Sequence, residues 1–229
     1  MRRPFELYGL LNAVGLRAKY YHRRMKPLMP RLGIDESPIV FIHIPKCAGT
    51  SIWSSIPTST PIDSHILART WLDFLGEDKW RKSLKFSVVR NPWDRFVSAY
   101  FYLYQREPGN PDYLFSQEYI KPYSIEEFLE RFATNWTFRN IILGWLHFIP
   151  QVEFLKIRST VSQEIRLARF ENLAEEVDAI LASHGITANA IPRANVSIRS
   201  RYRDYYTPKT QEAVLKAYRQ DIEALEYSF

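Results

Sequence analysis

The sequence contains a single cysteine, Cys47, among 229 residues. One thiol excludes an intrachain disulfide and a cluster of thiolate metal ligands. Internal repeats, low-complexity tracts, Cys/His fingers and RNA-binding aromatic runs are also missing. Positive charge alone does not indicate a nucleic-acid partner. We therefore expect neither a disulfide scaffold nor a nucleic-acid-binding module.

The apolar stretch near the N-terminus, LYGLLNAVGL at residues 7–16, is too short to be a membrane span. No small-residue cleavage site follows it. Two interpretations remain: a surface helix packed on the domain, which we favour, or an interfacial amphipathic anchor that makes peripheral membrane contact. We expect a cytoplasmic protein, or a Golgi-lumenal one if the chain is a piece of a longer protein.

Composition and length fit one globular α/β domain, with 46% hydrophobic and 24% charged residues. Lysine and arginine exceed aspartate and glutamate by 31 to 25, a net charge of +6. This excess favours an anionic ligand, an acidic polymer or a membrane surface. Turn-forming residues at 33–38 predict a boundary between a basic N-terminal segment, 1–37, and the main domain, 38–229.

Strand-like and helix-like patterns alternate along the main domain, which predicts a three-layer α/β fold with a mainly parallel sheet. The predicted strands cover residues 39–44, 85–89 and 165–170, with weaker candidates near Ile62 and over 152–157. Helices are predicted over 171–184, ending at Gly185, and from the cap at Thr207-Pro208 to the C-terminus. The arginine-rich segment 186–206 between these helices is predicted to be a ligand-covering loop.

Residues 39–51, IVFIHIPKCAGTS, form a strand, a sharp turn and a helix start, an order that presents backbone N–H groups to an anion. Gly49 permits close approach of the backbone, Thr50 and Ser51 add hydroxyl donors, and Lys46 adds a positive charge. The pattern G-x-x-x-x-G-K-[ST] is absent, which disfavours ATP or GTP hydrolysis. The turn alone is equally typical of an ordinary strand-to-helix connection.

Cys47 lies beside Lys46 near the predicted helix start, a setting that can activate a thiol as a nucleophile. No motif supplies a paired base for it. We therefore interpret Cys47 as a small loop residue.

A second strand-to-helix connection, FSVVRNPWDRFVSAYFYLY, covers residues 86–104. Asn91 and Pro92 are typical of a helix start. One apolar stripe follows, comprising Trp93, Phe96, Val97, Tyr100, Phe101 and Tyr104. Ser98 is predicted to lie off this stripe, on a polar flank with Asp94 and Arg95. Arg90 and Ser98 are predicted to converge on one phosphate, although Arg90 could instead tie the loop.

PKCAGTS, followed by the arginine of RNPWDRFVSAY, resembles the paired motifs of sulfotransferases that use 3′-phosphoadenosine 5′-phosphosulfate (PAPS). The chain is most similar to carbohydrate (family 2-type) sulfotransferases and their bacterial relatives. The similarity continues through DSHILARTWLDFLGEDKW, ARFENL, ANVS and YRDYYTPKTQEAVLKAYRQDIEALEY. It departs at Arg193, where relatives often have histidine, and over residues 136–145, which match weakly.

The resemblance implies a fold related to nucleotide kinases and sulfuryl transfer from PAPS, without a metal, to a hydroxyl of a carbohydrate or glycoconjugate. It assigns five residues to the 5′-phosphosulfate loop: Lys46, Ala48, Gly49, Thr50 and Ser51. Arg90 and Ser98 are assigned to the 3′-phosphate. Arg199, Arg201 and Arg203 in SIRSRYRDYY would close over that phosphate or bind an anionic acceptor, although a solvated basic loop is the alternative.

The resemblance also implies a histidine base, and His65 stands at the matching position; Asp63 or a glutamate is the fallback, and a hydrogen-bonded loop histidine without a catalytic role is the alternative. Lys46 is expected to stabilise the leaving oxygen. The other histidines have simpler interpretations. His43 is expected to be buried in the first strand, and His184 to lie at a helix end. His22 lies in the basic N-terminal segment, and His147 in the weakly matched stretch. Two other classes stay open, a nucleotide-dependent phosphotransferase of similar fold and a non-catalytic domain that binds nucleotide or anionic glycan.

Overall fold

The computed structural model describes residues 4–32, 39–56, 65–187 and 200–229. The predicted boundary at 33–38 and the weak strand near Ile62 lie outside these ranges. The chain divides into two compact units. We call them the sheet unit, Ala18–Arg90 with Gln151–Val196, and the helical unit, Met1–Arg17 with Asn91–Pro150 and Ser197–Phe229.

The sheet unit is built on three parallel strands in the order β1-β2-β5. They are β1 (Ile39–Ile42), β2 (Leu84–Val89) and β5 (Arg166–Arg169). Every residue of β1 and β2 is buried, as expected for parallel strands covered on both faces. The predicted α/β class with a parallel central sheet is therefore confirmed. Because the strands are parallel, β1 and β2 end at the same edge of the sheet.

Helices and a short hairpin complete the sheet unit. The helices are α2 (Arg17–Met25, of which Ala18 onward belongs here), α3 (Gly49–Trp53), α4 (Ala68–Lys82), α9 (Gln151–Leu155) and α10 (Leu173–Ala182). The hairpin pairs β3 (Lys156–Ile157) with β4 (Thr160–Val161). The weak strand prediction over 152–157 was wrong, because most of that segment is α9. Its apolar residues are equally compatible with a short buried helix.

The helical unit holds an aromatic core. Its helices are α1 (Pro4–Ala13), α5 (Pro92–Tyr104), α6 (Tyr113–Tyr119), α7 (Ile125–Thr134), α8 (Trp136–Gly144), α11 (Pro208–Ala217) and α12 (Arg219–Ala224). Phe96 lies at the centre, with the rings of Phe132 and Phe148 at 4.8 and 5.0 Å between centroids. Aromatic residues make up 15% of the chain, and many of them fill this core. Thr207 caps α11 as predicted, but the predicted last helix is interrupted at Tyr218.

Helix α5 begins as predicted, with the Asn91 side chain accepting hydrogen bonds from the backbone N–H groups of Trp93 and Asp94. One part of the prediction was wrong. Arg95, placed on the polar flank, is 1% exposed, whereas Tyr104 at the end of the apolar stripe is 46% exposed. Arg95 acts electrostatically on the buried hydroxyl of Tyr218. The helical unit therefore buries a charge that periodicity alone assigns to the surface.

Helix α1 packs closely against α8. A Cβ atom on Gly9 would press on Ile141, and one on Gly144 would overlap the backbone of Tyr8. Arg17 donates to the Gly144 carbonyl at 2.5 Å and lies over the Tyr8 ring. These contacts pack α1 against α8 within the helical unit, which favours the surface-helix interpretation. Across the described ranges, no helix combines the length and apolarity that crossing a bilayer requires.

Candidate functional site

The loop between β1 and α3 has an unusual backbone. Lys46 and Ala48 both have positive φ, 69° and 59°, although neither is glycine. Left-handed conformations of non-glycine residues cost free energy and cluster at functional sites. Left-handed residues that alternate with other conformations can turn successive N–H groups toward one point, a geometry that binds anions. Because α3 has only five residues, its dipole contributes little here.

The side chains assigned to this loop are placed differently from one another. Lys46 and Ala48 are half-buried, Thr50 is exposed, and Gly49 and Ser51 are buried. The Ser51 carbonyl accepts hydrogen bonds from two hydroxyls at 2.9 Å, which closes the short helix. Within the loop, Thr50 and Lys46 are therefore the side chains open to a ligand.

Position 49 requires a glycine because the His43 ring lies directly against it. A Cβ atom at position 49 would overlap the imidazole ring of His43. That ring stacks on Phe41 at 5.7 Å between centroids and is 7% exposed. His43 is therefore buried, as predicted for the strand end, but its ring lies directly against the first residue of α3. The sequence analysis missed this contact.

His65 lies next to His43, with 4.2 Å between ring centroids. Its Nδ1 atom is 3.1 Å from the backbone carbonyl oxygen of His43. A carbonyl only accepts hydrogen bonds, so this contact places a proton on Nδ1. In the neutral ring, Nε2 then carries the basic lone pair. The His43 carbonyl thus fixes the tautomer of His65.

Arg90 joins the two motifs. Its guanidinium Nη1 donates to the Lys46 carbonyl at 3.0 Å, across 44 positions of sequence. The guanidinium carbon also lies 3.8 Å from the centre of the Phe170 ring. Arg90 therefore holds the loop backbone through a hydrogen bond, which is one of the two roles that the sequence predicted for it. The structure brings its positive charge to the same strand edge as Lys46.

Gln151 holds Arg90 from the other side. Its Oε1 accepts from the Arg90 N–H at 2.9 Å, and its Nε2 donates to the Arg90 carbonyl at 2.8 Å. The side chain is fully buried at 0% exposure. The sequence analysis missed this residue, because a glutamine that bonds a backbone 61 positions away leaves no local pattern. Its function is to fix the backbone at the end of β2.

We expect the Gln151→Leu variant to lose about 2–4 kcal/mol of unfolding free energy, because two buried backbone groups of Arg90 lose their partner. Urea denaturation measures the loss. The matched control is Gln163→Leu, an exposed glutamine of the same unit, which should change stability by about 0.5 kcal/mol or less. Equal effects of the two substitutions would contradict the role of Gln151 in holding the Arg90 backbone.

Cys47 is 1% exposed, and its Sγ lies 3.4 Å from Oε1 of Gln151. The thiol therefore donates to an amide inside the unit. A buried, donating thiol is unlike the exposed thiolates that act as nucleophiles. This environment favours the interpretation of Cys47 as a loop residue.

Some predicted site residues lie elsewhere or outside the described ranges. Ser98 belongs to the helical unit, in the second turn of α5, at 9% exposure. Arg201 belongs to the same unit, is exposed, and precedes a 3₁₀ helix at Tyr202–Tyr205. Arg199, Asp63 and Arg193 fall outside the described residues. The structure therefore brings together the loop, Arg90 and His65.

Three of the other histidines have partners of their own. Nδ1 of His22 is 2.8 Å from the Thr70 hydroxyl, and Nδ1 of His184 is 3.0 Å from the Ser183 hydroxyl. His147 bonds Asp112 at 2.9 Å. Burial raises the pKa of Asp112, but the hydrogen bond and the charge of His147 outweigh it, so the pKa falls below its usual value. Within the described residues, no group of three or more His, Cys, Asp or Glu side chains is placed to hold a metal ion.

Strand, loop and arginine thus lie together at the carboxyl edge of a parallel sheet, the edge at which α/β folds bind their ligands. Residues 34–228 match the model of the sulfotransferase family. This match covers most of the chain, which therefore belongs to the sulfotransferase family. Members of this family are enzymes that transfer a sulfuryl group to a hydroxyl-bearing acceptor. No curated protein and no solved structure matches the chain.

Proposed function

We propose that this protein transfers the sulfuryl group of PAPS to a hydroxyl of a carbohydrate or glycoconjugate. The observation that carries the proposal is the Arg90 bond to the Lys46 carbonyl, which brings the guanidinium group of the second motif to the backbone of the first. PAPS has phosphate groups at two separate positions of one nucleotide. Cationic groups from two separate motifs at this edge could each meet one phosphate of such a ligand.

The proposed donor contacts follow the two motifs. Backbone N–H groups of residues 48–51, the Thr50 hydroxyl and the Lys46 ammonium would hold the 5′-phosphosulfate, whereas the Cys47 N–H donates to the Ile44 carbonyl at 3.3 Å. The positive φ of Lys46 and Ala48 supports this assignment, because left-handed residues in a loop are typical of backbone sites that bind anions. Arg90 would hold the 3′-phosphate, and the family motif adds Ser98. Arg199 and Arg201 stay candidates for the same phosphate or for an anionic acceptor.

His65 is the proposed base. The acceptor hydroxyl attacks the sulfur, and its proton passes to Nε2 of His65, the nitrogen that the His43 carbonyl leaves unprotonated. The bond between sulfur and the bridging oxygen of the nucleotide breaks. Lys46 stabilises the charge that develops on that oxygen. The products are a sulfate ester and 3′,5′-ADP, and no metal takes part in the proposed step.

We expect the Gly49→Ala variant to bind 3′,5′-ADP about tenfold or more weakly, because the added methyl group displaces the His43 ring and distorts the loop. Isothermal titration measures the affinity. The double variant Gly49→Ala/His43→Ala makes room for the methyl group and should recover much of the loss. A double variant no better than the single one would show that the overlap is not the cause.

Radiolabelled PAPS incubated with a panel of glycans and small alcohols tests the proposed function. The expected result is a labelled sulfate ester in at least one acceptor, formed with an equal amount of 3′,5′-ADP. A reaction without acceptor is the control for hydrolysis. Absence of both transfer and 3′,5′-ADP binding would reject the proposal, and binding without transfer to any acceptor would favour a non-catalytic nucleotide-binding domain.

A further inference from the structure

The ring of Phe229 lies in a cage of three aromatic rings. Trp93, Tyr202 and Tyr206 approach it edge to face, with 5.4, 5.6 and 5.5 Å between ring centroids. Edge-to-face contacts of this kind stabilise a ring beyond the area that they bury. We call Phe229 and these three residues the Phe229 cage. All four belong to the helical unit.

The Phe229 cage joins two elements of the helical unit. Trp93 lies in the first turn of α5, whereas Tyr202 begins the 3₁₀ helix Tyr202–Tyr205 and Tyr206 follows it. The Tyr206 hydroxyl donates to the Trp93 carbonyl at 3.0 Å. The Tyr205 ring packs on Phe101, about two turns further along α5, at 5.5 Å between centroids. The 3₁₀ helix therefore lies along α5 from its first turn to its third.

Ser228, the residue before Phe229, holds the start of the same helix. Its carbonyl accepts a hydrogen bond at 2.8 Å from the side-chain amide of Asn91. The oxygen of that amide accepts the bonds that cap α5. Ser228 and Phe229 therefore contact both α5 and the 3₁₀ helix, and they hold one against the other.

Two arginines flank Tyr202, and the structure places them differently. The guanidinium carbon of Arg203 lies 5.1 and 5.7 Å from the ring centres of Tyr202 and Phe229. Arg203 therefore packs on the Phe229 cage itself. Arg201 is exposed, and it directly precedes the caged tyrosine. Of the two, Arg201 is the one whose backbone the cage supports while its side chain faces solvent.

Ser98 lies on the part of α5 that the 3₁₀ helix follows. It stands three positions before Phe101, so the two residues are neighbours on the helix surface. The Ser98 side chain is largely covered, at 9% exposure. The Phe229 cage therefore holds the backbone next to Arg201 against the helix that carries Ser98. These residues, like the cage, all belong to the helical unit.

We propose that Phe229 is a positioning residue, which acts through Arg201 on the binding of the 3′-phosphate. This inference rests on the proposed function, in which Ser98 and Arg201 are candidates for that phosphate. A guanidinium holds a phosphate through hydrogen bonds of fixed direction, so the backbone that carries it must be fixed as well. The cage supplies this support at Tyr202. An arginine on a loose segment would lose more conformational entropy when it binds.

Titration of the full chain with 3′,5′-ADP and with 5′-AMP, which lacks the 3′-phosphate, tests the inference. The Phe229→Ala variant should bind 3′,5′-ADP about tenfold more weakly, the effect of one lost charge-assisted hydrogen bond, and should bind 5′-AMP almost as the native protein does. Phe229→Leu keeps more of the packing and should lose about threefold. It takes the place of the alanine variant if thermal unfolding shows that variant to be unfolded.

The matched control is Phe5→Ala, the same chemical change at another ring of the helical unit. Phe5 packs between Phe115 and Trp145, at 5.5 and 5.3 Å between ring centroids. Its removal should lower the melting temperature and leave the affinity for both nucleotides unchanged. A loss of stability alone is thereby separated from a loss of positioning.

The double variant Phe229→Ala/Arg201→Gln shows whether the two residues act together. If Phe229 acts through Arg201, each single variant loses about tenfold for 3′,5′-ADP, and the double variant loses little more. Unchanged affinity in Phe229→Ala, equal losses for both nucleotides, or losses that multiply in the double variant would overturn the inference and leave the proposed function intact. A native protein that does not bind 3′,5′-ADP would reject the proposed function itself.

Discussion

The His65→Asn variant is expected to lose about 10²- to 10⁴-fold in kcat for sulfuryl transfer, the usual contribution of a general base. Asparagine is the informative replacement because its amide nitrogen occupies the place of Nδ1. The amide can still donate to the His43 carbonyl, a bond of 3.1 Å in the native protein. Nothing replaces Nε2. The variant therefore removes the proton acceptor and keeps the local structure.

Titration with 3′,5′-ADP provides the second readout for His65→Asn. Affinity should be unchanged, because the base contacts the acceptor and not the nucleotide. The control is His184→Asn, the same chemical change at an exposed histidine, which should retain full turnover. Full turnover by His65→Asn would reject His65 as the base.

The Arg90→Lys variant is expected to bind 3′,5′-ADP about 10²-fold more weakly. Lysine keeps the charge but loses the planar fork that holds a phosphate with two hydrogen bonds, each worth about 1.5–3 kcal/mol. The comparison ligand is 5′-AMP, which lacks the 3′-phosphate. If Arg90 contacts that phosphate, the loss of affinity for 5′-AMP should be much smaller. Arg166→Lys, at an exposed arginine of β5, is the control.

Equal losses for the two nucleotides would give Arg90 a different role. Its side chain donates to the Lys46 carbonyl at 3.0 Å, so a lysine there also loosens the loop. Loosening affects every nucleotide that the loop holds, whereas a phosphate contact affects only ligands with the 3′-phosphate. The two-ligand comparison therefore separates a structural tie from a binding residue.

The local parts of the fold were predictable from the sequence. A buried strand that runs into a turn and a helix produces a pattern within about a dozen residues. The strands β1 and β2, the Asn91 cap and the Thr207 cap were all predicted in this way. The loop and Arg90 could be placed at one sheet edge because neighbouring parallel strands end together.

The supporting contacts were not predictable, because they join residues that are distant in sequence. Gln151 bonds a backbone 61 positions away, and the contact of His43 with Gly49 depends on how α3 turns back over β1. Arg95 was predicted wrongly for a related reason. Its position in the helical repeat indicates an exposed side chain, but other elements of the unit cover it. In each case, tertiary packing determines the result and local periodicity does not.

Isothermal titration of the full chain with 3′,5′-ADP and with ATP distinguishes a sulfotransferase site from a phosphotransferase site. A sulfotransferase site holds phosphates at the 3′ and 5′ positions, and ATP offers none at the 3′ position. We expect 3′,5′-ADP to bind at least tenfold more tightly than ATP. Tighter binding of ATP would contradict it and would assign the loop, Lys46 and Arg90 to a phosphotransferase.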